Sequence, residues 1–146
     1  MPRAATHSAI AELERPAELP LIPDDSPRTG HGRVLLFSLA GRVHCAGLGS
    51  VREIIQLLPV TSLPGALPHV RGLINLRGTI VTVLDATMCE YGVPSSAPTA
   101  SILLVDRGTR VAGVVVDEVH DIGQLDRDAP LESLLDLSAM VQMALA

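Results

Sequence analysis

The alternation of hydrophobic and polar positions changes character at Arg33. From there Val34-Leu35-Leu36-Phe37-Ser38-Leu39, then Ala40-Gly41, then Val43-His44-Cys45-Ala46-Gly47-Leu48 form two short apolar stretches joined at a glycine, the pattern of a β-hairpin. Strand-like stretches recur over residues 78–85, 100–106 and 109–117, and the β-branched Val111, Val114, Val115 and Val116 suit a pleated surface better than a helix. Residues 51–58 fit a short helix or a strand, and residues 85–91 fit one helical turn after a strand. The clearest helical pattern is residues 131–145, where Leu131, Leu134, Leu135, Ser138, Val141 and Leu145 fall near one face behind Pro130. Short strands at close spacing, with connections mostly too short for βαβ units, favour small barrels or a sandwich. Residues 1–32 differ from the rest: Pro2, Pro16, Pro20, Pro23 and Pro27 stand among Asp, Glu, Ser and Thr, which reads as a flexible leader.

A chain of 146 residues accommodates one domain or two small cooperating lobes. Its hydrophobic share is 47%, yet the only aromatic rings are Phe37 and Tyr91, so the core is aliphatic. Base stacking is thereby excluded as a binding mode. Charge agrees: 11 arginines and no lysine against 16 acids leave a net charge of −5, the wrong sign for a nucleic-acid partner. The charge is unevenly placed, with seven arginines against four acids in residues 33–115 and one against seven in residues 116–146. A modestly basic body meets an acidic C-terminal end, a distribution able to orient a protein partner. No run of 18 apolar residues occurs, so no membrane insertion is expected. With only Cys45 and Cys89, a cytoplasmic, reducing location is expected rather than a disulfide scaffold.

Candidate chemistry is sparse. His44 and Cys45 are neighbours on a strand and face opposite ways, so they do not converge on one atom. Cys45 reads as a small buried hydrophobe and Cys89 as partly exposed. A metal site built from them with His69 or His120 lacks CxxC or HxxxH spacing, so neither metal nor cofactor is expected. Neither GxGxxG nor GxxxxGK[ST] is present. Asp117, Glu118 and Asp121 read as a solvated strand end; the competing reading is an enzyme that uses these carboxylates with a divalent ion.

The densest cluster is residues 70–85. It reads as a tight loop and a buried strand, in which Gly72 and Gly78 permit close backbone approach or positive φ while Ile80, Val83 and Leu84 supply burial. Asn75 can satisfy loop backbone groups, and Arg77 projects a rigid five-donor fork towards a carboxylate. Arg77 is then either an interface anchor or a bridge to an acid of its own domain.

Residues 72–85 resemble the signature of the CheW family of chemotaxis coupling proteins. Ser50-Val51-Arg52-Glu53-Ile54-Ile55 resembles that family's V-R-E-I segment, and the match continues through Val60-Thr61-Ser62-Leu63-Pro64, residues 102–106 and 111–116, and Asp117-Glu118-Val119. The resemblance implies a mainly β fold, a CheW-like pair of small SH3-like β-barrels sharing a core, over residues 33–146. It also implies a non-enzymatic adaptor between the cytoplasmic tip of methyl-accepting chemoreceptors and the regulatory domain of a CheA-type histidine kinase, recruited to receptor arrays. Val51, Glu53, Ile54, Asn75, Leu76 and Arg77 are the residues that match the family's protein-binding surfaces.

The sequence also departs from that family. Asp126-Arg127-Asp128-Ala129-Pro130 leads almost directly to Leu134-Leu135-Asp136-Leu137, so about two strands' worth of sequence is missing near residues 126–133. One barrel is then expected to be incomplete, with an unpaired edge that the protein must cover, twist or use. The resemblance implies a strand at residues 134–137 followed by a short helix, whereas local periodicity makes the whole end helical; a helix from Leu131 is expected, because the missing hairpin removes a strand partner. The alternative function is a divergent scaffold for a specialised signalling or motility assembly, self-associating through that edge.

Overall fold

The computed structural model describes residues 32–145. In chain order its elements are β1 (Arg33–Leu39), β2 (Arg42–Gly47), β3 (Glu53–Gln56), β4 (Val70–Leu76), β5 (Thr79–Asp85), α1 (Ala86–Tyr91), β6 (Ser101–Arg107), β7 (Arg110–Val116), β8 (Glu118–Gln124), β9 (Leu134–Leu135) and α2 (Leu137–Ala144). One-turn 3-10 segments stand at Leu48–Ser50 and Leu131–Ser133. Of the leader expected over residues 1–32, only Gly32 lies within the described residues; its carbonyl accepts from the Leu125 N–H at 3.0 Å.

The hairpin turns are set locally. Ala40 and Gly41, with φ of 54° and 78°, carry β1 into β2, and Arg77 and Gly78, at 50° and 89°, carry β4 into β5. Positive φ at both central residues matches the right-handed twist of the flanking strands. The strands assemble into two sheets, one ordered β8-β1-β2-β9 and the other β3-β6-β7-β5-β4.

Neither sheet closes, which corrects the expected pair of SH3-like barrels. A barrel needs a ladder between its first and last strands. In the four-stranded sheet those are β8 and β9, joined by residues 125–133, which supply no further strand, and β9 pairs with β2 only at Cys45 and Ala46. In the five-stranded sheet the edges are β3 and β4. What reaches β4 from the connection after β3 is a single bridge, in which Thr61 and Leu73 exchange N–H···O bonds of 2.8 Å in both directions.

The helix expected from Leu131 also begins later. Leu134 and Leu135 are drawn into the parallel pairing with β2, and Asp136 caps the helix by accepting from the Ala139 N–H at 3.0 Å. A strand partner and an N-cap together override the apolar periodicity of residues 131–136. Residues 53–56, open between helix and strand in the sequence, form β3. The stretch after the valine strand is not a solvated end but β8, paired along β1 from Arg33 to Ser38.

Leu35, Phe37 and Leu39 of one sheet pack against Leu103, Val105 and Val114 of the other, and α2 adds Leu137 and Val141 to this shared core. The outer face of the five-stranded sheet buries Ile74, Val81, Val83, Ile102, Leu104 and Val115. The outer face of the other sheet buries Val34, Cys45, Leu125 and Ala129. Strands covered on both faces read as continuous apolar runs, which is why β7 is unbroken from Val111 to Val116.

Two buried or half-buried carboxylates tie the loops to this frame. Asp85, 1% exposed, caps α1 through the Met88 N–H at 3.1 Å, accepts from the Ser95 N–H at 2.8 Å and pairs with Arg71 at 3.3 Å. Asp117 accepts from the Ala40 N–H at 2.9 Å and the Thr87 hydroxyl at 2.8 Å.

Candidate functional site

The β4–β5 turn builds the first part of the site. Leu76 and Thr79 form its last cross-strand pair, and the Gly78 N–H donates to Asn75 Oδ1 at 2.9 Å. Asn75 thus braces the turn from within. Below it the backbone is held by contact: Gly72 adopts φ +141°, and a Cβ there would lie 2.0 Å from the Thr61 carbonyl oxygen. Arg71 occupies the irregularity where the β4 register shifts, and its side chain turns to Asp85.

Arg77 extends from this turn to Glu53 on β3. Its Nη2 donates to Oε1 at 2.9 Å and its Nη1 to Oε2 at 3.3 Å, a two-pronged pair. The hydrogen bond from Arg77 holds the Glu53 carboxyl below its ordinary pKa despite some burial, and Glu53 in turn raises that of Arg77. The side chains are 67% and 39% exposed, so the pair stands at the surface rather than in the core. Arg77 therefore bridges to an acid of its own domain, one of the two readings the sequence leaves open.

Of the other residues expected to carry binding, Asn75 is exposed beside Arg77 and Leu76 is half-buried against the outer core of the five-stranded sheet. Val51 and Ile54 turn to the other side of β3 and pack against the shared core. The structure thus brings Glu53, Asn75 and Arg77 to one surface and places Val51 and Ile54 beneath the strand. A second ion pair, Arg52 to Asp106 at 2.8 Å, flanks the first. No local pattern announces it, because Asp106 lies 54 residues further along the chain and only the β3–β6 pairing brings it close.

A cleft of about 400 Å³ between α1 and α2 also went unforeseen. His69, Cys89, Leu135, Met140 and Met143 line it, and the His69 ring Nε2 donates to the Ala144 carbonyl at 3.3 Å. Burial, then the nearby Asp85 and Glu90 charges, push the Cys89 thiol up, so it is a poor nucleophile there. Cys45 is buried as expected, with its thiol raised chiefly by desolvation.

The acidic cluster does not converge. Asp117 is occupied by structural donors. Burial opposes its ionisation but is outweighed by the nearby Ser95 hydroxyl and by the hydrogen bonds from the Ala40 N–H and the Thr87 hydroxyl, so its pKa lies below the ordinary value. Among the described residues no group of three or more His, Cys, Asp or Glu side chains could hold a metal ion. No helix among them is long and apolar enough to cross a membrane.

Residues 33–144 match the family model described as a CheW-like domain. The chain is 36% identical over 104 residues to "Chemotaxis protein CheW" of Rhizobium meliloti (strain 1021), covering 68% of this chain and 66% of that one. It is 30% identical over 109 residues to "Protein PilI" of Pseudomonas aeruginosa, covering 73% and 60%. Its fold is similar to the crystal structure of the scaffolding protein TtCheW from Thermoanaerobacter tengcongensis, with a TM-score of 0.59, 27% identity, and coverage of 67% of this chain and 64% of that one. The chain therefore spans slightly less than two thirds of the length of the relatives it matches.

Proposed function

The chain belongs to the CheW family, and from that premise we propose that it is a non-enzymatic adaptor in chemotaxis-like signalling, coupling chemoreceptors to a CheA-type histidine kinase. The observation that carries this reading is the surface that joins Glu53 from one edge of the five-stranded sheet with Asn75 and Arg77 from the other, all within the motif-bearing segments. An ion pair half open to solvent, held on a braced turn, offers a partner charged hydrogen bonds in a fixed register. Val51, Ile54 and Leu76 support that surface from beneath. The kinase regulatory domain and the receptor's cytoplasmic tip are the proposed partners, and the proposed location is the cytoplasm at receptor arrays. Titration of the folded protein against a kinase regulatory domain and a receptor-tip fragment tests this. Binding to either that weakens in Arg77→Ala supports it, and no binding to both overturns it.

One observation favours the second reading, a specialised scaffold that self-associates. Because β9 covers β2 only at Cys45 and Ala46, the outer edge of β2 has no strand partner at Arg42, Val43 and His44 among the described residues, and Val43 is 54% exposed. An uncovered edge is a template for another strand. Self-association that persists without kinase and disappears on Val43→Pro would favour this reading.

A further inference from the structure

The five-stranded sheet divides at one end. β5 and β7 pair in parallel at Val83↔Gly113, Leu84↔Val114 and Asp85↔Val115. On the N-terminal side of those pairs each strand continues in register only with its own hairpin partner, Thr79 to Thr82 with β4 and Arg110 to Ala112 with β6. The two hairpins diverge there, and the space between them is a groove of about 490 Å³. Along it the facing edges of β5 and β7 form no ladder with each other.

The lining of this groove has one sign of charge. Among the described residues it contains Arg77, Arg107 and Arg110 and no acidic residue. Arg107 and Arg110 stand directly opposite each other across the β6–β7 hairpin, a position in which side chains share a face and like charges repel. Among the described residues no acid pairs with them: Arg107 donates to the Leu145 carbonyl at 2.8 Å, an uncharged acceptor, and Arg110 makes no ion pair. Arg77, on the other wall, is already paired with Glu53, and between it and the two unpaired arginines lies Ile80, a large aliphatic side chain left 62% exposed, with Val111 also in the lining. An unrelieved like-charge pair costs stability, and its natural relief is an anionic ligand. The aliphatic floor and the two unladdered strand edges select among anions, because a free phosphate uses neither, whereas an extended peptide uses both.

We propose that this groove receives an extended acidic segment of a partner protein, with an aliphatic side chain seated on Ile80 and carboxylates on Arg107 and Arg110. The proposal deepens the adaptor reading by stating the chemistry of the partner, and it rests on that reading only for Arg77 at the rim.

The test is fluorescence anisotropy with a labelled decapeptide of alternating Glu and Leu and a matched one of alternating Lys and Leu, against the full chain and Arg107→Glu/Arg110→Glu. The acidic peptide should bind and the lysine peptide should not. Affinity should fall about tenfold or more in the double variant and in about 1 M NaCl, where charges are screened over a few ångströms. Should charge reversal disturb the hairpin, as circular dichroism would reveal, Arg107→Gln/Arg110→Gln removes the charges at similar volume. No binding of the acidic peptide, equal binding of both peptides, or binding unchanged by the folded variant overturns the proposal. Sedimentation velocity separates one more occupant: a wild-type dimer that the double variant abolishes assigns the groove to a second copy and also overturns it. No kinase or receptor is present in these measurements, so failure of the adaptor reading leaves their outcome independent.

Discussion

Arg77 and Glu53 join the opposite edges of the five-stranded sheet. Glu53 lies on β3, one edge strand, and Arg77 on the turn that links the other edge strand, β4, to β5; they meet at 2.9 and 3.3 Å. The sheet is thus curled far enough for its edges to approach, yet an ion pair and the Thr61–Leu73 bridge span the gap where a barrel would have a ladder. Because both side chains are substantially exposed, solvent screens the pair and it contributes little to stability. Arg77→Ala is expected to lower the melting temperature by no more than about 3 °C while weakening a partner complex by roughly tenfold or more. Calorimetry and binding titration of the same preparation check both halves, and a large melting shift without a binding change would make the pair structural.

Gly72 and Gly78 make a controlled comparison. Both have positive φ, but only Gly72 lies against backbone, with the Thr61 oxygen 2.0 Å from where a Cβ would be, whereas nothing is within 4 Å at Gly78. Gly78→Ala is expected to cost about 1 kcal/mol from its conformation alone. Gly72→Ala must also displace the Thr61 bridge and is expected to cost roughly 2–4 kcal/mol. Urea denaturation of the two variants gives the difference directly, and equal costs would mean that the connection after β3 moves aside freely.

Asp85 satisfies the Met88 N–H, the Ser95 N–H and Arg71 at once while 1% exposed. Removing it leaves the two N–H groups without their acceptor and Arg71 without its counter-charge, although the Ser95 carbonyl still accepts from Arg71 at 3.1 Å. Asp85→Ala is expected to destabilise by about 3 kcal/mol, and Asp85→Asn by less because an amide oxygen can still cap α1. Denaturant midpoints of the two variants check the order, and identical midpoints would remove the cap from the account.

Asp117 and Glu53 both favour the folded state more as pH rises through the carboxylate range. Hydrogen bonding lowers both pKa values in the folded state, for Glu53 chiefly from Arg77 and for Asp117 against the opposing effect of burial. In the interval between folded and unfolded values the unfolded chain binds more protons, so stability rises with pH. The contribution is complete above the ordinary carboxylate range and is lost as pH falls through the lowered values, below about pH 4. Asp117→Asn is expected to flatten the dependence of melting temperature on pH between about pH 3 and 5; an unchanged slope would place the acid sensitivity elsewhere.

Some of this was legible residue by residue. Ala40-Gly41 marked the first hairpin because that turn depends only on its own two backbone conformations, and Asn75, Arg77 and Gly78 stood out because polar and glycine residues interrupt an apolar run. β4 and β8 were harder to read. Val70-Arg71-Gly72 carries a register shift next to the Thr61–Leu73 bridge, and Glu118 to Gln124 alternates weakly because its pairing with β1, rather than its own pattern, makes it a strand. Glu53 and Arg77 were each visible, but their union was not, since it depends on how far a sheet curls.

The amino-acid sequence by itself determined the aliphatic core, the hairpin turns, the ordered motifs of the CheW family and the shortened stretch after β8, all of which are properties of composition or of near neighbours along the chain. Tertiary structure decided that the sheets stay open, that Leu134 and Leu135 serve β2 rather than a helix, and that Arg107 and Arg110 face a groove with no acid among its described lining residues. Those outcomes turn on which distant backbone edges and charges come within a few ångströms of each other, and no local pattern encodes that distance.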